Sequence, residues 1–139
     1  MRIADFLLQA TMVALWGSKA DAKSSKFDEI EYPEFAKAME ERGDDLFWRS
    51  YKVKTTDGYI LSIFNITGKS KTQKVMNGGE LGPILLVHGF STDAITWLNT
   101  SDTNELALSA QLVHDGYDVW LGNTRGTRYS QKHEWLHHE

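Results

Sequence analysis

Hydrophobic and polar positions alternate in one stretch of this chain, which is followed by a second extended run and then by one with no polar residue at all. Tyr51, Val53 and Thr55 fall on one side of an extended segment and Lys52, Lys54 and Thr56 on the other. Asp57-Gly58 then interrupts, and Tyr59 to Ile66 resumes as a second extended run. Two such runs around an Asp-Gly pair predict an antiparallel hairpin, because the pair tolerates the positive backbone angles of a tight turn. Residues 68–82, rich in lysine, glycine and polar residues, read as a surface loop. The chain then enters Pro83-Ile84-Leu85-Leu86-Val87 with no polar alternation, and stops at His88-Gly89-Phe90 before Ser91-Thr92-Asp93. An unbroken branched run of this kind is expected to be a strand buried on both faces, as in parallel sheets sandwiched between helices.

Further on, Asp102 and Glu105 have the spacing of a capping box, and Leu106, Ala110 and Val113 share a helical face with Leu108 and Leu112 beside it. Gly116 supplies the stop, and Tyr117 to Leu121 is a short strand. Strand, helix and strand make a βαβ unit, whose crossover sets the two strands parallel. Upstream, Pro33 suits a first helical position, Phe35 and Met39 share a face, and Gly43 ends the segment, while the polar stretch before it reads as a linker. The fold class is therefore α/β: an N-terminal antiparallel hairpin leading into a βαβ unit of a mainly parallel sheet. Such a unit exposes a sheet edge and a sheet face unless further elements cover them, so a marginal or aggregation-prone fold is expected of it in isolation.

Composition narrows the class of protein more than its chemistry. The 139 residues, 41% hydrophobic and 12% aromatic, suit one globular domain. A net charge of -4 with both signs interspersed argues against nucleic acid as a partner. With no cysteine there is neither a disulfide framework nor a thiolate metal site. Met1-Arg2, the apolar stretch Phe6 to Trp16 and the small residues around Ala20 and Ala22 resemble a secretory signal peptide over residues 1–20, and the run is too short to span a membrane. Two acceptor sequons, at Asn65 and Asn99, agree with a secretory route; Asn99 is the better candidate because Asn65 falls in a predicted strand.

Two stretches carry candidate chemistry. His88-Gly89-Phe90 ends a predicted parallel strand, where glycine lets the backbone approach a ligand and leaves nearby N–H groups free to donate. His133-Glu134-Trp135-Leu136-His137 matches H-E-x-x-H, which on a helix would hold zinc between two histidines with the glutamate activating water. That reading needs a helix and a third protein ligand, and His138 would point to another face.

Several motifs in order resemble the acid lipase branch of the α/β-hydrolases, the group containing gastric lipase, lysosomal acid lipase and steryl ester hydrolases. They are Tyr51-x-Val53-x-Thr55-x-Asp57-Gly58-Tyr59-Ile60-Leu61, then Pro83 to Phe90, then Trp97 and Leu106-Ala107. Gly116-Tyr117-Asp118-Val119-Trp120-Leu121-Gly122-Asn123-x-Arg125-Gly126-x-x-x-Ser130-x-x-His133 completes the series. The resemblance runs from about Phe27 to His133 and departs from the family before Tyr51, where Gly43-Asp44-Asp45-Leu46-Phe47 replaces the usual Gly-Tyr-Pro.

The resemblance implies a serine-type ester hydrolase of triacylglycerols or sterols, using neither metal nor organic cofactor, with peripheral contact at a lipid interface and a secreted or lysosomal location. It implies that the backbone N–H of Phe90 is an oxyanion donor, with His88 and Gly89 in support. His88 is not the triad base, since in this fold the histidine follows the nucleophile and the acid. Asn123, Arg125 and Gly126 read as a structural loop, because an arginine fork at such a turn suits carbonyls or a carboxylate. No Gly-x-Ser-x-Gly elbow is present, Gly89-Phe90-Ser91-Thr92-Asp93 failing at its last position. The expected layout is a signal peptide over 1–20, a linker over 21–34 and, over 35–139, the N-terminal portion of a lipase domain cut before its nucleophile, inactive alone. A non-catalytic lipase-like product without a triad is the alternative, and a zinc metallopeptidase is the remotest one.

Overall fold

A computed structural model describes residues 26–42, 46–68, 81–99 and 106–136. Two helices open it, α1 (Lys26–Glu31) and α2 (Pro33–Arg42), followed by strands β1 (Leu46–Lys54), β2 (Tyr59–Gly68) and β3 (Pro83–Val87). A 3-10 turn (Ala94–Trp97), α3 (Leu108–His114), β4 (Asp118–Gly122) and the two-residue β5 (Lys132–His133) complete it. The strand order is β1-β2-β4-β3, with β5 also pairing β2. The β1–β2 and β2–β4 pairs are antiparallel and β3–β4 is parallel, so the sheet is mixed and of the α/β class.

Alternation along each strand sorts the sheet into two faces. Trp48, Ile66 and Val119 stand in register across β1, β2 and β4, with Phe64 beside Leu121 two residues along. These side chains join Phe35 and Met39 of α2 and Ala110 and Val113 of α3 in one buried cluster. At its centre the Phe35 ring stacks on Phe64 with centroids 3.9 Å apart, and Trp48, Tyr32 and Tyr129 meet Phe64 edge-on. Edge-to-face and offset contacts suit the ring quadrupole, so the cluster gains beyond simple area burial. On the opposite face Ile63, Asn65 and Trp120 are buried, and the Tyr51 and Trp120 rings lie 5.1 Å apart.

The hairpin forms at the expected turn. Gly58 has φ +92, and its N–H donates to the Thr55 carbonyl at 3.0 Å. The Thr55 Oγ1 atom donates to Asp57 Oδ1 at 2.6 Å and accepts from the Tyr59 N–H at 2.9 Å. A side chain at Gly58 would meet more than an unfavourable angle: an added Cβ would lie 2.8 Å from both His133 Cε1 and Trp135 Cη2.

Three sequence expectations change. The run Pro83–Val87 is not buried on both faces: β3 lies at the sheet margin among the described residues, with Pro83 and Val87 exposed and Ile84, Leu85 and Leu86 half-buried. The helix after it begins at Leu108 behind Ala107, so Leu106 and Leu108 are exposed while Ser109, Ala110 and Val113 face inward. The proposed capping pair, Asp102 and Glu105, lies outside the described residues. Finally, the stretch 21–34 read as a linker includes α1, whose Asp28 is buried and accepts from Ser50 Oγ, and Tyr32, whose hydroxyl bonds Ser62 Oγ at 3.0 Å. Its polarity hid a helix that docks through side-chain hydrogen bonds. Glu31 accepts from both Lys52 and Lys132, tying α1 to β1 and β5.

Candidate functional site at the carboxyl ends of β3 and β4

The parallel pair β3–β4 places Val87 beside Gly122, so the segments that follow, His88-Gly89-Phe90 and Asn123-Thr124-Arg125, leave the sheet side by side. The parallel pairing alone accounts for this course, since a Cβ added at Gly122 would make only ordinary contacts, 3.4 Å from Leu85 Cδ1 and 3.5 Å from Val87 Cγ2.

His88 connects the two segments. Its Nε2 accepts from the Thr124 backbone N–H at 3.1 Å, with Thr124 Oγ1 also at 3.1 Å, and its Nδ1 faces the Gly89 carbonyl oxygen at 2.8 Å. A nitrogen that accepts from a backbone N–H carries the lone pair, so the proton sits on Nδ1 and is donated to Gly89. Thr92 Oγ1 donates to the same Gly89 oxygen at 3.0 Å. The turn through Phe90 and Ser91 leaves the Phe90 side chain 98% exposed and puts Ser91 at φ +59, the left-handed region that L side chains enter at a cost.

The β4 side is a braced loop. Asn123 is buried, its Oδ1 accepting from the Ala94 N–H at 3.0 Å and its Nδ2 donating to the Ser62 carbonyl at 3.1 Å. Ser130 Oγ, fully buried, donates to the Asn123 carbonyl and accepts from the Ser62 N–H at 3.0 Å. Gly126, at φ +86, donates to the Ser130 carbonyl. Arg125 pairs with Asp57 at 2.6 Å and its guanidinium lies 4.5 Å from the centre of the Tyr59 ring. Its contacts thus tie the loop to the hairpin turn. Hydrogen bonds from Thr55 and Arg125 hold the Asp57 carboxyl below its ordinary value. Arg128 pairs with Asp93, whose other oxygen caps the 3-10 turn at the Ile95 N–H.

The zinc reading of the H-E-x-x-H match does not fit this arrangement. His133 is in a strand, Glu134 to Leu136 are not helical, and His137 lies outside the described residues. Both ring nitrogens of His133 are engaged: Nε2 bonds the Asp57 carbonyl at 2.9 Å, and Nδ1 accepts from the N–H groups of Trp135 and Leu136. Glu134 pairs with Lys54. Among the described residues no three acidic, histidine or cysteine side chains are grouped to hold a metal.

Of the two sequons, Asn65 is buried, and its amide donates to Asp118 Oδ1 at 2.8 Å and to the Val119 carbonyl at 3.0 Å, a placement that leaves no room for a glycan. Asn99 is exposed. A polar cleft of about 240 Å³, lined by Tyr32, Ser62, Tyr129 and Lys132 among others, shares no lining residue with His88, Gly89 or Phe90. Burial, with Asp93 nearby, pushes the Tyr129 phenol up to about 12. Sequence reasoning missed Thr92, which bonds an oxygen three residues earlier in its own loop, and Thr124, whose pairing with His88 only the folded sheet creates.

No helix among the described residues is long and apolar enough to cross a membrane. Residues 43–101 match the family model of the partial alpha/beta-hydrolase lipase region. The chain is 41% identical over 87 residues to triacylglycerol lipase 2 of Arabidopsis thaliana, a match covering 62% of this chain and 20% of that protein. It is 39% identical over 85 residues to gastric triacylglycerol lipase of Rattus norvegicus, covering 60% and 20%, and 37% identical over 86 residues to lipase member J of Homo sapiens, covering 62% and 23%. The match thus spans about a fifth of the length of these relatives. Over the stretch it shares with them, the chain is similar to the α/β-hydrolase lipases.

Proposed function

We propose that this chain forms the N-terminal part of the catalytic domain of a serine-type lipase with the α/β-hydrolase fold, which cleaves carboxylic esters of triacylglycerols or sterols through an acyl-enzyme. The observation that carries the reading is the position of His88-Gly89-Phe90 at the carboxyl end of a strand parallel to its neighbour. That is where α/β sheets gather their ligands, and the segment lies inside the lipase match. Acyl transfer passes through a tetrahedral oxyanion, and the chain's contribution is one backbone donor to it, the N–H of Phe90. The nucleophile, its acid and base and the second donor come from sequence beyond these 139 residues, which contain no Gly-x-Ser-x-Gly. The reaction needs neither metal nor organic cofactor. The leader-like pattern of residues 1–20, the exposed Asn99 and the names of gastric relatives support a secreted or lysosomal setting, with contact at a lipid interface.

The test is ester turnover by the longest natural product that carries this sequence, beside the 139-residue chain alone. The reading expects an in-frame Gly-x-Ser-x-Gly followed by Asp and His, hydrolysis of long-chain esters by the longer product, and none by the short chain. A stop directly after Glu139, or a longer product without turnover, would favour the non-catalytic alternative.

A further inference from the structure

We propose that His88, Thr92 and Thr124 form a clamp that fixes the Gly89–Phe90 peptide by its oxygen and thereby aims the Phe90 N–H at the reacting carbonyl. The proposal rests on the lipase reading and assigns positioning roles within the same site.

The clamp follows from the geometry of one peptide unit. The Gly89 oxygen receives His88 Nδ1 at 2.8 Å and Thr92 Oγ1 at 3.0 Å. In a planar trans peptide the C=O and the following N–H point in opposite directions, so fixing the Gly89 oxygen fixes the Phe90 N–H as well. That N–H has no hydrogen-bond partner among the described residues. Two donors on one carbonyl also polarise the amide and strengthen its N–H as a donor.

His88 can hold the oxygen only as the Nδ1–H tautomer, and Thr124 enforces that tautomer by donating its backbone N–H to Nε2. The clamp therefore reaches from the oxyanion loop to the loop leaving β4, 36 residues on. A second observation points the same way: Ser91, next to the donor, is held at φ +59, a strained setting that persists only when its surroundings over-determine it. Without the clamp this exposed turn could rotate, and a donor aimed away from the oxyanion contributes nothing to the transition state.

Two experiments decide the matter. In the 139-residue chain, nitrogen NMR of the His88 ring should find the proton on Nδ1 and a bare Nε2 at neutral pH. Dipolar couplings of the Phe90 amide should change in His88→Ala and Thr92→Val but much less in His88→Asn, whose amide can still reach the Gly89 oxygen. In the longest active product, His88→Ala and His88→Leu should each lower kcat by about tenfold or more with KM within about twofold, a fraction of the full loss of a donor. His88→Asn should recover most of that loss.

A proton on Nε2, a Phe90 amide orientation indifferent to His88 and Thr92, or equal kcat for His88→Asn and His88→Leu would each overturn the clamp. A wild-type longer product without turnover would overturn the lipase reading and with it the clamp's catalytic purpose. The NMR result would still decide the clamp's geometry.

Discussion

Two strands of this sheet invert the relation between sequence and burial. β3, Pro83-Ile84-Leu85-Leu86-Val87, is wholly apolar and lies at the margin with both end residues exposed. β2 carries Ser62, Asn65 and Thr67 yet lies inside the sheet, with Ser62 to Ile66 buried. Ser62 and Asn65 are buried because each has a partner: Ser62 bonds Tyr32, Asn65 bonds Asp118, and backbone groups of Ser62 meet Ser130 and Asn123. Buried polar groups cost little once paired, so the inner strand can afford them. Among the described residues the apolar run of β3 has no such coverage on its outer side. Its composition fits a strand that further elements of a larger sheet would flank, in keeping with a match spanning a fifth of the lipases it resembles.

The contrast is sharpest in the core. Phe64→Ala would remove the ring on which Phe35, Trp48, Tyr32 and Tyr129 converge and should cost about 3–5 kcal/mol of unfolding free energy. Val87→Ala on the exposed margin should cost well under about 1 kcal/mol. Urea midpoints at constant m would check both, and equal costs would dissolve the distinction between the two strands.

A smaller effect is expected at the hairpin that joins β1 to β2. Gly58→Ala combines φ +92 with a Cβ 2.8 Å from His133 and Trp135, and should destabilise by about 1–3 kcal/mol while loosening β5 from β2. Hydrogen exchange at Glu134, whose N–H donates to the Gly58 carbonyl, should report that loosening. Protection unchanged from wild type would show β5 to be independent of the turn.

At the β3 end the expected change is favourable. Ser91→Gly relieves the left-handed strain and should raise stability by about 1 kcal/mol in thermal unfolding. In the active product the same change should lower kcat, because the turn that presents Phe90 gains freedom. A stabilised variant with undiminished kcat would separate the strain from function.

The smallest effect is electrostatic. Burial pulls the Glu31 carboxyl upward, but hydrogen bonds and charge from Lys52 and Lys132 outweigh it, so its folded pKa lies below the ordinary value, as does that of Asp57. Groups depressed in this way stabilise the fold above their unfolded pKa, and that contribution is lost as pH falls through the folded one. Stability should therefore decline on acidification below about pH 4.5, less steeply in Glu31→Gln. The gain is modest because the pairs are partly exposed. Identical acid profiles for wild type and Glu31→Gln would remove α1 from the account.

Much of this fold was legible in the residues. Alternation around Asp57-Gly58 gave the hairpin, and the order of apolar run, helix and short strand gave the parallel β3–β4 pair. What escaped was set by distant pairing. Nothing local in Pro83–Val87 says whether the strand is central or marginal, since that depends on β4 inserting between it and β2. α1 escaped because Lys26–Glu31 is polar and docks through Asp28 and Glu31. At the site, the glycine and the strand end drew attention to Phe90, but Thr124 could not be linked to His88, nor Asp57 to Arg125 across 68 residues, before the sheet was assembled. Ser91 gave no warning either, as serine is not the usual occupant of a left-handed turn position.

The central claim is that the margin of the sheet supplies a backbone donor. Phe90 is the second residue of a turn whose third has positive φ, a place that accommodates proline, so Phe90→Pro can remove the N–H while keeping the turn. The decisive measurement is kcat for ester hydrolysis by the longest active product carrying Phe90→Pro, set against Phe90→Ala, which shortens the side chain and keeps the N–H. The account predicts a loss of about 10²–10³ in kcat for the proline variant, at least tenfold beyond the alanine variant, with both folded. Equal kcat for the two folded variants would contradict it.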